Sequence, residues 1–314
     1  MALSPRPMSA ANADNSPTQV ASPSLAGGSL APSNAGRPPA RPSSNDNLVG
    51  TSGDDSFIGA SGNDSFAGGV GIDTVSYSSL LSPITLTAGG VVKKAGIGTD
   101  TMSGIEVIVG ATGLKNVIDG TVADPTTQTT NFRIDLSSQT LGVEGIPGLG
   151  ALSFKVVNFT DVIGTNNADT IIGDGSNNFL RGAGGNDILS GGAGDDIIVG
   201  GSGADDLTLG SGRDIVRFTS ITDAGDVIND FSARDDNFEL SAAAFGLPAG
   251  RLQENNFSAN INGLATAARA QIVYDTDEGK LFFDADGTGS GEATLLATLV
   301  GVPSLTLADF YLIS

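Results

Sequence analysis

A nine-residue unit recurs through this chain, and its phase is regular enough to dictate the path of the backbone. Six consecutive units occupy residues 164–217, and the clearest two are GGAGDDIIV (191–199) and GGSGADDLT (200–208). They follow the pattern G-G-x-G-x-D-x-U-x, in which U is apolar. A second run occupies residues 50–76, with a partial unit before it. Such a short, fixed period predicts a solenoid, in which each unit is covered by its neighbours.

Two positions of the unit keep one kind of side chain. Position 6 is filled by Asp46, Asp55, Asp64 and Asp73 in the first run, and by Asp169, Asn178, Asp187, Asp196, Asp205 and Asp214 in the second. Position 8 is filled by Leu48, Phe57, Phe66, Val75, Ile171, Leu180, Leu189, Ile198, Leu207 and Val216. These positions predict a row of carboxylates and a stripe of core residues. A flexible Gly/Asp-rich linker would not keep its apolar residues in phase in this way.

Each unit is predicted to form a six-residue turn followed by a three-residue strand, which is too short to be stable alone. Glycines at positions 1, 2 and 4 allow backbone angles that are closed to other residues, and they point carbonyl oxygens inward. Carbonyl and carboxylate oxygens are hard ligands, of which calcium takes six to eight in flexible geometry. The repeats are therefore predicted to bind Ca²⁺.

This repeat closely resembles the RTX (repeats-in-toxin), or hemolysin-type, calcium-binding repeat. The resemblance implies that two units form one coil of a parallel β-roll, with each ion between stacked turns two units apart. On that scheme Asp187 pairs with Asp205, Asp196 with Asp214, Asp46 with Asp64, and Asp55 with Asp73. The expected metal ligands are Asp46, Asp55, Asp64, Asp73, Asp169, Asp187, Asp196, Asp205 and Asp214, with the carbonyls around Gly182, Gly185, Gly191, Gly192, Gly194, Gly200, Gly201 and Gly203.

Some units of the second run depart from the pattern. The unit 173–181 has Asn178 in place of the carboxylate and Ser176 in place of a glycine, and the unit 209–217 begins with Leu209. These departures make the two ends of the second run less regular as metal sites than its centre.

The composition excludes several classes of function. The chain has 35 acidic and 15 basic residues, a formal net charge of -20, so it should repel nucleic acid and anionic membranes and attract cations. It has no His, which excludes Ser-His-Asp hydrolysis and most zinc chemistry, and no Cys, which excludes disulfides and thiol catalysis. Catalysis by carboxylates alone, as in glycosidases, remains open.

The two ends of the chain differ in character. Residues 1–45 are rich in Pro, Ala, Ser and Asn, without an apolar stretch, and predict a disordered tail without a signal peptide. No stretch is apolar enough for a transmembrane helix, so membrane insertion is not expected. Residues 226–314 resemble the tail domain that follows RTX repeats in proteins exported by type I secretion. Asp309-Phe-Tyr-Leu-Ile313 is similar to the uncleaved signal of that family, which implies the type I secretion apparatus as a partner.

The sequence thus predicts an all-β chain: a parallel β-roll or β-solenoid built on nonapeptide calcium-binding repeats, a β-rich carboxyl-terminal domain and a disordered amino terminus. Its predicted segments are a tail (1–45), a first ladder (46–76), a β-rich intervening segment (77–163), a second ladder (164–217) and a β-rich secretion domain (218–314). The segment 77–163 is interpreted as a continuation of the solenoid or as a β insert that caps the first ladder. In the last segment, 272–283 predicts a hairpin and 266–270 a single helical turn.

Three functions are compatible with this organisation. The leading hypothesis is a secreted calcium-binding protein with a structural or interaction role, because extracellular calcium modules bind with dissociation constants of roughly 0.1–1 mM, far above cytoplasmic calcium. Its partners would be a matrix, a cell surface or other copies of the chain. The alternative is a hydrolase or lyase that acts on polysaccharide through a site in 77–163. A pore-forming toxin is disfavoured, because a polar tail stands where such toxins have an apolar domain.

Overall fold

The structure is a computed structural model, and it describes residues 45–121, 130–146 and 150–314. The predicted disordered tail, apart from residue 45, lies outside these residues. Within them the protein is almost entirely β-structure, as predicted. The helices are α1 (Ala242–Phe245) and two 3-10 turns, Glu254–Asn256 and Leu307–Asp309. No helix in the described part of the chain is long and apolar enough to cross a membrane.

The strands are β1 (Asn47–Val49), β2 (Ser56–Ile58), β3 (Ser65–Ala67), β4 (Thr74–Ser76), β5 (Ile84–Thr87), β6 (Val91–Lys94), β7 (Gly98–Ser103), β8 (Val107–Val109), β9 (Asn116–Asp119), β10 (Asn131–Asp135), β11 (Thr140–Ile146), β12 (Gly150–Val157), β13 (Phe159–Ile163), β14 (Thr170–Ile172), β15 (Phe179–Gly184), β16 (Ile188–Ala193), β17 (Ile197–Ser202), β18 (Asp206–Ser211), β19 (Ile215–Phe218), β20 (Asp226–Ile228), β21 (Asn237–Ser241), β22 (Gly250–Arg251), β23 (Phe257–Asn260), β24 (Gln271–Asp275), β25 (Lys280–Asp284), β26 (Thr294–Leu299) and β27 (Phe310–Ile313).

Successive units alternate between two sheets, so two units make one coil. Sheet A has the strand order β1-β3-β7-β6-β5-β9-β13-β15-β17-β19-β21-β27-β22, and sheet B has the order β2-β4-β8-β12-β11-β10-β14-β16-β18-β20-β26-β25-β24-β23. Within the ladders the pairing is parallel and joins residues 18 apart, for example Leu180 with Ile198 and Leu189 with Leu207. The predicted parallel β-roll is therefore confirmed.

The strands of the second ladder are longer than the repeat predicts. Four strands, β15 to β18, each span six residues rather than three. The extra residues are the glycine-rich start of the following unit, where Ala183 pairs with Gly201 and Gly192 with Gly210. Because glycine has no side chain to separate neighbouring turns, stacked turns approach closely enough to continue the ladder.

Both sheets run through the intervening segment. In sheet A, β7 pairs in parallel with β3, and the antiparallel strands β5 and β6 precede it. In sheet B, β8 pairs in parallel with β4, so that Ile108 stands beside Val75. Strands β9 to β13 carry the two sheets onward to the second ladder.

The sheets also continue past residue 217. Strand β21 pairs with β19, β20 with β18, and the last strand, β27, lies between β21 and β22. The predicted hairpin at 272–283 is confirmed as the antiparallel pair β24 and β25. The predicted helical turn at 266–270 is wrong. Residues 267–269 form bends, and the backbone N–H groups of Thr266 and Ala267 donate to the Gln271 side chain.

The core lies between the two sheets and is built from the position-8 residues. Leu48 is 7% exposed, and the other nine are at most 1% exposed. The stacks include aromatic neighbours, such as Phe57 and Phe66, whose ring centroids are 5.6 Å apart. Beyond the second ladder, Phe218, Phe238 and Phe310 prolong the stack. This core fixes the turns, and with them the position-6 side chains, at a constant spacing.

Candidate metal centre

The position-6 carboxylates form one row along each sheet. Each carboxylate is hydrogen-bonded to the backbone of the preceding turn in its row. One carboxylate oxygen, Oδ1, accepts a hydrogen bond from the backbone N–H of the position-6 residue 18 places earlier. The donor and acceptor pairs are Asp46 and Asp64 (3.0 Å), Asp55 and Asp73 (2.8 Å), Asp169 and Asp187 (2.8 Å), Asn178 and Asp196 (2.8 Å), Asp187 and Asp205 (2.8 Å), and Asp196 and Asp214 (2.9 Å). The four pairs expected from the sequence are thus neighbours in these rows.

The second oxygen of most of these carboxylates has no partner in the protein. This buried, unpartnered Oδ2 occurs in Asp73, Asp187, Asp196, Asp205 and Asp214. All five side chains are at most 2% exposed. A buried carboxylate oxygen without a donor or a cation is strongly unfavourable. The rows therefore present a series of oxygens directed at positions that call for a cation.

Burial changes the protonation of these carboxylates. Mainly through loss of solvent, it raises the pKa of Asp187 to about 8, that of Asp196 to about 7 and that of Asp214 to about 6. In each case the backbone hydrogen bond acts in the opposite direction, and neighbouring carboxylates raise the pKa further. Without a metal, protons compete for these oxygens near neutral pH. A bound cation would displace those protons.

The glycines at position 1 leave room for the carboxylates rather than adopting unusual backbone angles. A Cβ at Gly191 would lie 2.5 Å from Asp196 Oδ2, and one at Gly182 would lie 2.5 Å from the Gly200 carbonyl oxygen. Gly182, Gly191 and Gly200 do not have positive φ angles, which corrects the expectation made for position 1. At Gly182 and Gly191 a carboxylate oxygen and a carbonyl oxygen face one small space, and these are the donors that calcium prefers.

The glycines at positions 2 and 4 are the ones that need glycine for its backbone. The φ angles are 101° at Gly192, 105° at Gly201, 103° at Gly185, 111° at Gly194 and 137° at Gly203. This left-handed region is closed to most other residues. It turns the chain tightly enough to stack each glycine on the carbonyl of the turn below, as Gly194 does on Ser176.

The carboxylates alone do not complete a metal site. No three acidic side chains converge on one point in the described ranges. An ion held here would therefore take one or two carboxylate oxygens and complete its shell with carbonyl oxygens and water. The chemistry of that set is entirely oxygen, which fits calcium and not zinc or copper.

Two expected ligands are supplied with hydroxyl partners by their own turns. The Thr51 backbone N–H and hydroxyl donate to Asp55 Oδ2, at 2.5 and 2.9 Å. The Thr165 backbone N–H donates to Asp169 Oδ2 at 2.6 Å, and the Thr165 hydroxyl also contacts that oxygen. Threonine stands at position 2 in both units, where the family pattern has glycine. In these two turns the Oδ2 atom of the aspartate is therefore hydrogen-bonded within the protein.

The position-6 side chains of two further units, each of which is one rung of its row, also have their hydrogen-bond partners within the protein. The Asn178 side-chain amide donates to the Thr160 carbonyl, and its oxygen accepts from the Asp174 backbone N–H. Asp64 Oδ2 accepts from the ammonium group of Lys94 at 3.1 Å. The unpartnered oxygens are therefore concentrated in the last four units of the second ladder (182–217), with one more at Asp73.

The rows extend beyond the residues that the repeat identifies. The Asp205 backbone N–H donates to Asp226 at 3.1 Å, and the Asp214 backbone N–H donates to Asp236 at 3.0 Å. In the first ladder, Asp100 and Glu106 play the same part for Asp64 and Asp73. The repeat pattern does not identify these four acids, because they lie 21 to 36 residues after their partners instead of 18. For Asp226 and Glu106 the available signal was an acidic residue at, or just before, the start of a short apolar strand.

The intervening segment contributes to a polar groove beside the second ladder. It has a volume of about 450 Å³, and its lining includes Lys115, Gln139, Asn158 and Asp174. Asp174 is the only acid among the lining residues. A glycosidase mechanism uses two carboxylates, and the lining of this groove contains one.

Comparison with known proteins agrees with this geometry. The family model of the RTX calcium-binding nonapeptide repeat (4 copies) matches residues 43–75, 163–198 and 182–216. No curated protein sequence matches the chain.

Among solved structures, the chain is similar to the AlgE6R3 subunit of the Azotobacter vinelandii mannuronan C5-epimerase. The identity is 24%, the match covers 47% of this chain and 80% of that one, and the TM-score is 0.33. It is also similar to the extracellular lipase LipA of Serratia marcescens, with 17% identity over 88% of this chain and a TM-score of 0.31. The match spans 40% of the lipase. Residues 43–75 and 163–216 thus match the RTX calcium-binding nonapeptide repeat, and they form the two ladders of the parallel β-roll.

Proposed function

We propose that this protein is secreted, and that its second ladder folds when it binds Ca²⁺ outside the cell. The observation that carries the proposal is the buried, unpartnered Oδ2 atom of Asp187, Asp196, Asp205 and Asp214. Beside Asp187 Oδ2 and Asp196 Oδ2, the neighbouring turns also offer the carbonyl oxygens of Gly200 and Leu209. Calcium supplies the charge that these oxygens lack, and the residues in the rows orient them around it.

Folding and calcium binding are coupled in this proposal. Stacked strands in a sheet are about 4.8 Å apart, so ionised carboxylates in one row repel one another at close range. At neutral pH the metal-free ladder must therefore either hold repelling charges or keep protons that the unfolded chain would release, and calcium binding removes this cost. Cytoplasmic calcium is too dilute to fill sites with dissociation constants of roughly 0.1–1 mM, whereas calcium outside the cell is not.

The final strand supports a link between folding and export. Phe310 and Leu312 are buried in β27, and Asp309 forms a capping box with Thr306 just before the strand. If residues 309–313 act as a type I secretion signal, the exporter must bind them before the fold closes over them. A chain that stays unfolded until it reaches calcium keeps that segment accessible.

The folded protein is proposed to have a structural role or to bind partner molecules. Among the described residues, β1 and β2 are edge strands, each paired on one side only. They lie at the end of sheets A and B where the first ladder begins. Such strand edges can pair with a second copy or with another β-rich surface. The polysaccharide hydrolase or lyase alternative is separated from this proposal by an assay of the purified protein on a panel of acidic and neutral polysaccharides.

Calcium titration followed by far-ultraviolet circular dichroism tests the central claim. The full chain is stripped with chelator and titrated with calcium, and magnesium serves as the control ion. A gain of β-structure near millimolar calcium, absent with magnesium, supports the proposal. A β spectrum that neither calcium nor chelator changes would overturn coupled folding, and isothermal titration with no heat of binding would overturn calcium binding itself.

A further inference from the structure

The first ladder contains a fully buried ammonium group. The side chain of Lys94 is 0% exposed, although a lysine is almost never buried without a partner. Its Nζ donates to the Ala60 carbonyl at 2.6 Å, to Asp64 Oδ2 at 3.1 Å and to Asp100 Oδ1. All its contacts are therefore oxygens, two from carboxylates of adjacent rungs and one from a backbone carbonyl.

The insertion of two strands places this group in the row. Strand β6 ends at Lys94 and turns directly into β7, which stacks on β3 as the next rung of sheet A. Asp100 lies in β7 and accepts the backbone N–H of Asp64 at 2.9 Å. Lys94, at the end of β6, thus extends its side chain between two successive strands of sheet A, β3 next to Asp64 and β7 with Asp100.

The same three oxygens occur in the second ladder without the lysine. In the unit 59–67, Ala60 is at position 2 and Asp64 at position 6, and Asp100 belongs to the next rung of sheet A. In the unit 191–199 of the same sheet, the corresponding groups belong to Gly192, Asp196 and Asp214. Asp196 accepts no hydrogen bond at Oδ2, whereas Asp64 Oδ2 binds the ammonium group.

The cluster around Lys94 is otherwise complete. The Tyr77 hydroxyl donates to Asp100 Oδ2 at 2.9 Å, and the Asp46 backbone N–H donates to Asp64 Oδ1 at 3.0 Å. All four carboxylate oxygens of Asp64 and Asp100 therefore have a donor within the protein. Nothing in this rung calls for an external ion.

We propose that the Lys94 ammonium occupies a calcium position of the ladder, so that this rung is held by a cation built into the chain and forms without calcium. The inference rests on the proposed calcium sites, because it identifies one position of the repeat at which a lysine ammonium group replaces the calcium ion. It assigns the expected calcium ligand Asp64 to an ion pair instead. The rung from Asp64 to Asp100 then serves as a calcium-independent support for the rest of the ladder.

Removal of the lysine should turn this position into a calcium site. We expect full-length Lys94→Ala to bind one more calcium ion per chain than the wild type, counted by isothermal titration and by native mass spectrometry. Lys93→Ala is the matched control, because Lys93 is the exposed neighbour in the same strand, and it should bind as many ions as the wild type. An unchanged count in folded Lys94→Ala would overturn the inference.

The outcome separates this inference from the proposed function. If the wild type binds no calcium, the proposed function fails. If the wild type binds calcium and Lys94→Ala binds the same number of ions, only the role of Lys94 fails.

Hydrogen exchange of the wild-type protein in chelator gives a test that does not depend on the variant folding. The amides of Asp46 and Asp64, which donate to the carboxylates around Lys94, should exchange at least about tenfold more slowly than those of Asp187 and Asp196. Equal rates for the two sets would contradict a calcium-independent rung.

Discussion

Replacement of Asp196 by asparagine tests the assignment of its unpartnered oxygen. Asparagine keeps the shape of the side chain and can keep Oδ1 as the acceptor for the Asn178 backbone N–H, which is 2.8 Å away. It replaces the unpartnered Oδ2 by an NH₂ group, which cannot bind a cation. The substitution thus removes a metal ligand while it leaves the hydrogen bond between the turns in place.

The size of the effect follows from mass action. A site with a dissociation constant of roughly 0.1–1 mM adds about 1.4 to 2.7 kcal/mol to the free energy of unfolding at about 10 mM calcium. Above its dissociation constant, each ion adds about 1.4 kcal/mol for every tenfold rise in calcium. Asp196→Asn should therefore lower the slope of stability against the logarithm of calcium concentration by at least this amount.

Urea unfolding at a series of calcium concentrations, followed by circular dichroism, measures that slope. Asp195→Asn is the matched control. Asp195 is the adjacent residue, and its carboxylate pairs on the surface with Arg213, so this substitution should leave the slope unchanged. A slope for Asp196→Asn equal to that of the wild type would refute the assignment of Asp196 as a calcium ligand.

Three further predictions follow from the structure. In chelator, the stability of the folded ladder should decrease as the pH rises from about 4 to 8, because the raised pKa of Asp187, about 8, keeps a proton in the folded state that the unfolded chain releases. Calcium affinity should increase over the same range, as titration calorimetry at several pH values would show; affinity independent of pH would contradict this. Gly191→Ala should destabilise the calcium-bound protein by about 1–3 kcal/mol through overlap with Asp196 and the carbonyl above it. Gly175→Ala, where a Cβ meets no atom within 4 Å, should be neutral, and equal urea midpoints for the two variants would argue against the close stacking. Leu189→Ala should lower the free energy of unfolding by about 2–5 kcal/mol. Its neighbour Ile188, which is 54% exposed, should tolerate Ala within about 0.5 kcal/mol; comparable losses would mean that position 8 does not form the core.

The sequence could predict the register of the ladders because a single period sets both the core and the row of carboxylates. Leu189 and Asp187 lie in the same unit, so the phase of one determines the phase of the other. Once units alternate between two sheets, the partner of each residue must be 18 places away, and Asp205 is therefore found beside Asp187. No knowledge of loop geometry is needed for that step.

The remaining part of the site depends on loops, whose lengths carry no periodic signal. Asp226 and Asp236 join the rows after turns that are longer by three and four residues than the repeat allows. Lys94 reaches Asp64 only because a strand pair is inserted between two rungs, and the two residues are 30 places apart. Pairing of that kind is decided by tertiary packing, which a local pattern does not contain.

The uneven distribution of unpartnered oxygens has a mechanical consequence. The rungs near Asp64 and Asp169 carry their own partners, whereas the four units of 182–217 contain Asp187, Asp196, Asp205 and Asp214, whose Oδ2 atoms have none. Folded, these units rise by two strand spacings, about 10 Å. Released, a Gly-rich segment of this length has a root-mean-square span of about 33 Å. Loss of calcium would thus open the molecule in its middle and let its two ends drift apart, so calcium concentration would set the distance between them.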